Sequence, residues 1–216
     1  MSALSHQALE AALRMQPLEK RLVVAPLLDE EQIGPGTIDL RLGTEFIETH
    51  RLRKGVLDPL DDDEPLDEER EERVVVPLGD HLMLHPGQFV LGSTLEFVRM
   101  PTHMIGQVLG RSSWARLGLI VATAVVVQPG FGGVLTLELV NMGNVPMKLR
   151  PGLRVAQLMV WMLDEPTDRP YQPTSKYGSP IGPEPSRLGW ETGERDRLIK
   201  LGKLLSRQEI ADCEPA

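Results

Sequence analysis

The stretch GRSSWARLG at residues 110–118 holds the residue types best suited to binding an anionic ligand. Within six positions it carries two arginines and two serines: Arg111, Ser112, Ser113 and Arg116. A guanidinium group presents a planar set of donors that matches phosphate, and a serine hydroxyl adds a short hydrogen bond. Gly110 lets the backbone approach a ligand closely. The residues favour phosphate binding, and an exposed turn with surface salt bridges remains the alternative.

A second candidate is Glu138, which lies in the alternating segment GVLTLELVN. In a strand, Leu135, Leu137 and Leu139 would share one face, and the opposite face would carry Thr136, Glu138 and Val140. Glu138 could simply face solvent. It could instead line a partly dry pocket, where burial raises the pKa of a carboxylate toward that of a useful general base. The sequence leaves these two interpretations open.

Composition narrows the class of protein that positions these residues. The formal net charge of −8 and the pI near 5.2 argue against general affinity for nucleic acid or anionic membranes. Because Cys213 is the only cysteine, an internal disulfide cannot form, which favours a reducing compartment. The chain lacks a signal-peptide pattern and a run of about 18 apolar residues, so we expect a soluble, cytoplasmic protein with no membrane partner.

The elements that must position these residues are mostly short strands. Apolar residues at helical spacing predict a helix over 4–14 with Ser5 as its cap, and residues 38–42 alternate like a half-buried strand. From residue 74 to 163, short apolar runs are separated by turns that contain Pro or Gly. This spacing is typical of a β-sandwich, jelly roll or barrel.

The remaining segments are predicted to lie outside that core. The acidic run at 61–73 indicates a solvated loop insertion, and the Pro- and Gly-rich residues 164–190 indicate an extended arm. We therefore expect one domain over 1–190. We expect residues 191–216 to form a C-terminal helical extension, because leucines stand at helical spacing at positions 198, 201, 204 and 205.

Five blocks together resemble the dCTP deaminase family, whose members are relatives of dUTPase. The blocks are GPGTIDLRLGTEF, LHPGQFVLGSTLEFV, GRSSWARLGLIVATA, QPGFGGVLTLELVNMG and LRPGLRVAQL. They stand in the family's order between about residues 33 and 190. The resemblance implies a mainly β, dUTPase-like distorted jelly-roll or barrel with short helices near the chain ends. It also implies a homotrimer with active sites between subunits, and Mg²⁺ carried by the nucleotide triphosphate.

The resemblance also implies a role for each candidate residue. Glu138 matches the general base, and Ser112 and Arg116 match residues that position the catalytic water and the pyrimidine. The other matches bind substrate: Arg111 and Ser113 at the phosphates, Ala124 beside the base, Tyr171 and Lys176 from the closing arm, and Thr136 and Gln128 in the pocket. The implied reaction is hydrolytic deamination of dCTP, or of a closely related deoxycytidine nucleotide, to dUTP and ammonia.

Zinc is not expected to take part in this reaction. Zinc deaminases hold their metal with H-x-E and a later P-C-x-x-C, and neither motif occurs in this sequence. His81 and His85 could share a strand face, but two histidines without a nearby carboxylate are more typical of surface or packing positions.

The chain departs from the family pattern at Gln128, where an acidic residue commonly contacts the deoxyribose. A glutamine can still bond a hydroxyl, but it carries no charge with which to activate a water. The segment VVVQ therefore argues against efficient release of pyrophosphate. Two alternatives remain open: a dUTPase-like nucleotide pyrophosphohydrolase and a non-catalytic nucleotide-binding trimer.

Overall fold

The structure is a computed structural model that describes residues 2–49, 71–122, 126–187, 193 and 196–203. It divides into a unit of residues 1–50 and 71–185 and a second unit of residues 51–70 and 186–216. In the second unit, residues 196–203 are helical and exposed. The predicted helix residues Leu204 and Leu205 lie outside the described part of the chain.

The first unit is built from short strands with few helices. Its helices are α1 (His6–Arg14) and the single turn α2 (Ser112–Ala115), with 3-10 turns at Leu18–Lys20 and Glu30–Gln32. Its described strands are β1 (Ser2–Ala3), β2 (Val23–Ala25), β3 (Ile38–Thr49), β4 (Glu71–Val75), β5 (Leu82–Leu84), β6 (Phe89–Arg99), β7 (Met104–Gly110), β8 (Leu119–Val121), β9 (Val126–Val127), β10 (Gly132–Asn141), β11 (Met147–Leu149) and β12 (Arg154–Met162).

Most of the strands form one antiparallel sheet with the order β8-β10-β6-β3-β12-β7-β9. β1 pairs with β12, β2 with β6 and β4 with β3, while β5 and β11 form a separate pair. The sheet curls, so that strands near its two ends approach each other. A Cβ built on Gly110 of β7 would lie 3.4 Å from the Cβ of Val121 in β8. The prediction of a mainly β, dUTPase-like jelly-roll or barrel with short helices is confirmed.

Successive side chains of a strand point to opposite faces, and the apolar ones face the inside of this curled sheet, where the core lies. Leu135, Leu137 and Leu139 of β10 are all buried, as predicted. Their aliphatic side chains supply the apolar burial that a chain with 4% aromatic residues needs. α1 packs Leu9 and Ala12 against this core.

Three local predictions need correction. Ser5 occupies the N-cap position of α1, but its side chain makes no capping hydrogen bond. The acidic loop predicted for 61–73 ends sooner, because Glu71 begins β4, which pairs with β3; residues 61–70 lie outside the described residues. The strand predicted as half-buried at 38–42 is more deeply buried, because the carboxylate of Asp39 is itself buried against donors from Arg111, Arg154 and Gln157.

Over the described residues, none of the helices combines the length and apolarity that crossing a bilayer requires.

Candidate active site

The arginine–serine segment forms a tight turn whose backbone is fixed at both ends. Arg111 follows β7, and its N–H donates to Val155 O at 3.1 Å. The indole N–H of Trp114 donates to Arg154 O at 2.8 Å, which ties α2 to the start of β12. Ser112, Ser113 and Arg116 are exposed on this turn. Its exposed donors are therefore carried on a backbone that the neighbouring strand holds in place.

The turn closes at Gly118, where only a glycine fits. Its φ of +97° lies in the left-handed region, and a Cβ there would come within 2.6 Å of Gly143 N. Gly118 O also accepts the N–H of Met142 at 2.8 Å. The chain then enters β8, so the close approach of these two backbones sets the path from the arginine turn into the sheet.

Arg111 does not project freely. Its Nη2 lies 3.5 Å from Asp39 Oδ2, and its Nη1 donates to Arg154 O at 3.2 Å. Arg154 Nη1 also lies 3.5 Å from Asp39 Oδ2. Two guanidinium groups thus meet at one carboxylate that belongs to β3, a strand remote from both of them in sequence. Neither Asp39 nor Arg154 was predicted as a site residue.

Glu138 lies on the face of β10 opposite the buried leucines. Its side chain is half-buried, and desolvation by burial raises the pKa of its carboxyl above the ordinary range of glutamate. A register shift between Val134 and Thr136 precedes it, where Leu135 N donates to Thr94 Oγ1 at 2.9 Å. Of the two interpretations left open by the sequence, burial favours the partly dry position over free exposure to solvent.

Strand β8 connects the arginine turn to the strand of Glu138. β8 pairs with the last residues of β10, with Val121 opposite Leu139. The pairing continues to Ala122, whose N–H donates to Glu138 O at 2.8 Å. Gly110 also approaches Val121, so the residues that lead into and out of the turn lie together at β8, and β8 pairs with the strand that carries Glu138.

The arm runs along β10 and reaches Thr136. Val134 N donates to Pro180 O at 2.9 Å, and Glu184 N donates to Thr136 Oγ1 at 3.1 Å. The Thr136 hydroxyl is thereby engaged by the arm's own backbone. The described arm residues 164–187 contain no helix or strand, and these two hydrogen bonds attach the arm to β10.

Substitution of Gly133 is expected to displace the arm from β10. An alanine Cβ at this position would fall 2.4 Å from Pro180 Cδ, and the proline ring has no rotamer with which to avoid it. We expect Gly133→Ala to increase amide hydrogen exchange across residues 175–187.

The neighbouring variant Gly132→Ala is a matched control, because its Cβ would meet Phe97 Cζ at an ordinary 3.8 Å. Equal exchange protection in the two variants would contradict this packing.

The first part of the arm is anchored at the turn that follows Gln128. Tyr171 N donates to Pro129 O at 2.7 Å, and the Tyr171 ring lies 6.1 Å from that of Phe131. The Tyr171 hydroxyl accepts the N–H of Tyr177 at 2.8 Å. Gln128 is exposed at this turn, and Lys176 Nζ lies 5.7 Å from the ring centroid of Tyr177.

The described residues thus place the candidates in three connected groups. Arg111, Ser112, Ser113 and Arg116 share the turn, Thr136 and Glu138 share β10, and Tyr171 contacts Pro129, the residue after Gln128. Ala124 lies outside the described residues. Asp39 and Arg154 were missed because their alternating strands read as ordinary, although a charged Asp-Leu-Arg within an apolar strand was an available signal.

The structure also allows a search for metal-binding clusters. In the ranges described above, no group of three or more His, Cys, Asp or Glu side chains is arranged to hold a metal ion. Asp39, the buried carboxylate nearest the arginine turn, is already engaged by Arg111, Arg154 and Gln157.

Comparison with known proteins identifies the family. A family model described as dCTP deaminase-like matches residues 4–163, which include the arginine turn and β10. A dCTP deaminase from Halorubrum lacusprofundi is 45% identical over 175 residues, covering 79% of this chain and 85% of the relative. A dUMP-forming dCTP deaminase from Halobacterium salinarum is 45% identical over 171 residues, covering 77% of this chain and 87% of the relative.

A solved structure supports the fold. The 2'-deoxycytidine 5'-triphosphate deaminase from Agrobacterium tumefaciens superposes with a TM-score of 0.55 at 23% identity. The match covers 74% of this chain and 47% of that one, so this chain spans about half the length of that structure. The family match, the two close relatives and the shared fold agree with one another, and the chain therefore belongs to the dCTP deaminase family.

Proposed function

We propose that this protein deaminates dCTP, or a closely related deoxycytidine nucleotide, by hydrolysis to dUTP and ammonia, with Glu138 as the general base. The observation that carries the proposal is the half-buried Glu138 on β10, whose pKa is raised by desolvation. A carboxylate with a raised pKa accepts a proton from water more readily than an exposed one, and its pKa lies closer to neutral pH, where one group can serve as base and then as acid. Family membership supplies the substrate class, because both close relatives carry the name dCTP deaminase.

In this mechanism the water oxygen attacks C4 of the cytosine ring as Glu138 takes one of its protons. Glu138 returns that proton to N3. It then takes the hydroxyl proton of the tetrahedral intermediate and delivers it to the amino group. The C4–N bond breaks, ammonia leaves and the C4 carbonyl forms, so both protons of the water are accounted for. Ser112 and Arg116 orient the attacking oxygen and balance its developing charge.

Phosphate recognition is assigned to Arg111 and Ser113, with Tyr171 and Lys176 contributing from the arm. The remaining pocket contacts are assigned to Ala124, Gln128 and Thr136.

Mg²⁺ would be carried by oxygens of the triphosphate, and it would reduce the negative charge on the phosphates. The donors on the turn suit such a metal–nucleotide complex, since they offer N–H and O–H groups to phosphate rather than carboxylates to a resident ion. Zinc has no assigned role in this mechanism. The enzyme is proposed to act as a homotrimer with active sites between subunits.

A second product deserves a direct test, because the Halobacterium relative is named dUMP-forming. Release of pyrophosphate requires a second activated water, and the uncharged Gln128 does not supply a base for it. We therefore expect one ammonia and one dUTP for each dCTP consumed.

A panel of dCTP, dCDP, dCMP and dUTP, scored separately for ammonia, dUTP, dUMP and pyrophosphate, tests the proposed function. Stoichiometric dUMP would change the assigned product. Pyrophosphate without ammonia would identify a pyrophosphohydrolase, and nucleotide binding without either product would indicate a non-catalytic trimer. Activity should survive zinc chelation once magnesium is restored, and a stoichiometric requirement for zinc would contradict the mechanism.

The pH dependence of deamination should report the raised pKa of Glu138. Only the carboxylate form accepts a proton, so kcat/KM should fall as pH decreases through an inflection above the usual glutamate range. Measuring kcat/KM and thermal stability together over about pH 4 to 8 separates this effect from unfolding.

The sign of the linkage makes this separation possible. A glutamate whose pKa is raised in the folded state adds stability as pH falls through that pKa, so protonation of Glu138 does not itself unfold the protein. An activity profile that stays flat down to the ordinary glutamate range would contradict the assignment of Glu138 as base.

A further inference from the structure

The carboxylate of Asp39 is a point where three strands of the fold meet. Asp39 lies on β3 opposite Gln157 of β12, and Gln157 Nε2 donates to Asp39 Oδ1 at 2.9 Å. The other oxygen, Oδ2, lies 3.5 Å from Arg111 Nη2, just beyond β7, and 3.5 Å from Arg154 Nη1. The Asp39 side chain is only 10% exposed, so its negative charge is shielded from water and directed at these donors.

The two arginines at this carboxylate remain partly accessible to a ligand. Their side chains are 31% and 28% exposed. The two guanidinium groups carry like charges and would repel one another without the carboxylate that both of them contact. A second contact, from Arg111 Nη1 to Arg154 O at 3.2 Å, restrains the Arg111 guanidinium further. The result is a pair of fixed cations with one anion between them and a net positive charge.

The neighbouring Arg41 is engaged through both of its Nη atoms, although its buried Nε has no hydrogen-bond partner among the described residues. Its Nη2 pairs with Asp29, its Nη1 donates to Gly152 O at 2.9 Å, and its side chain is only 14% exposed. Asp29 is more exposed than Asp39, and its contact with Arg154 is longer, at 3.9 Å. Arg41 therefore has both Nη atoms engaged and is less exposed than Arg111 and Arg154 at Asp39.

We propose that Asp39 is a positioning residue that holds the guanidinium groups of Arg111 and Arg154 as one pair for binding nucleotide phosphates. The proposal rests on the proposed function for its ligand. Arginines fixed before binding lose little side-chain entropy when the phosphates arrive, so the pair binds more tightly than two mobile arginines would. Arg154 thereby becomes a second phosphate-binding arginine beside Arg111.

Equilibrium binding of dCTP and dCMP to the full-length protein, with ammonia release measured in parallel, tests this proposal. We expect Asp39→Asn to weaken dCTP binding about tenfold and dCMP binding much less, because fewer phosphates contact the pair. The value of kcat at saturating dCTP should stay within about twofold of wild type, since the binding lost is uniform. Asp80→Asn, the same change at an exposed carboxylate that pairs with His81, is the matched control and should leave both affinities unchanged.

A double-mutant cycle separates positioning from a purely structural role. If Asp39 acts through the arginines, Asp39→Asn should have little further effect on dCTP affinity in an Arg111→Gln, Arg154→Gln background. The same tenfold loss in that background would overturn the proposal, as would equal losses for dCTP and dCMP.

Thermal unfolding of each variant shows whether it is folded, and Asp39→Glu, which retains the charge, should recover part of the affinity. Failure of the proposed deaminase function can be distinguished from failure of the proposed role of Asp39. If wild type binds dCTP but releases no ammonia, the proposed function fails, and the binding cycle still decides the role of Asp39.

Discussion

Replacing Glu138 with glutamine is expected to abolish ammonia release, with a fall in kcat of about 10² to 10⁴-fold or more. Glutamine has nearly the same shape and still forms hydrogen bonds, but it cannot accept a proton from water. Binding of dCTP should change by no more than about threefold, because phosphate recognition is assigned to the arginine turn. Single-turnover ammonia release and equilibrium binding of dCTP measure the two effects separately.

Loss of fold is an unsuitable explanation for that expected result. Burial raises the pKa of Glu138, which means that its ionised form is disfavoured in the folded protein, and a neutral glutamine removes that cost. The thermal midpoint of Glu138→Gln should therefore equal or exceed that of wild type at neutral pH. Glu45→Gln, the same change at an exposed position of β3, is the matched control and should leave kcat unchanged. Full activity in Glu138→Gln would remove this residue from the mechanism.

The second large effect is expected from Glu96, whose side chain is fully buried in β6. Its Oε1 accepts from Gln32 Nε2 at 2.8 Å, and its Oε2 accepts from Arg41 N at 2.8 Å. Glu96→Ala leaves both buried donors without their partner, and we expect a loss of roughly 2 to 5 kcal/mol in the free energy of unfolding. Denaturant unfolding monitored by tryptophan fluorescence measures this loss.

Glu96→Gln provides a graded comparison. The glutamine keeps one acceptor, but its NH₂ group opposes one of the two donors, so the loss should be smaller than for Glu96→Ala. Glu45→Ala is the exposed control, and a comparable loss there would show that the buried hydrogen bonds are not responsible. Burial raises the pKa of Glu96, whereas the hydrogen bonds from Arg41 and Gln32 lower it, and burial is the larger effect.

Glu96 also connects the core to the phosphate-binding pair. Gln32 Nε2 donates to Asp39 O as well as to Glu96 Oε1. The same buried amide thus joins the Glu96 carboxylate to the backbone of the residue proposed to position Arg111 and Arg154. A variant at Glu96 that remains folded should therefore weaken binding of dCTP more than binding of dCMP.

Much of this organisation was predictable because it depends on local patterns. Short apolar runs predicted the series of strands between residues 74 and 163, where the structure places β5 to β12. The arginine–serine turn and Glu138 stood out by residue type and spacing, and the resemblance to the dCTP deaminase family implied their roles. These signals lie within single elements, where side-chain period and turn residues are determined by backbone geometry.

The pairing of distant elements was not predictable in this way. Asp39, Arg111 and Arg154 lie far apart in sequence, and only the register of β3 against β12, with β7 beside them, brings them to one carboxylate. The acidic run likewise gave no sign that Glu71 begins a strand, since charged residues are poor strand formers unless a partner strand accepts them.

By itself, the sequence determined the kind of fold, the family, and the turn and carboxylate that carry the proposed chemistry. Tertiary structure decided the pKa of Glu138 and the placement of the arginines. Burial of Glu138 on the curled sheet raises its pKa, and the meeting of three strands at Asp39 aligns two arginines. The physical reason is that desolvation and charge pairing depend on distances between elements, whereas strand formation depends on the spacing of residues along one element.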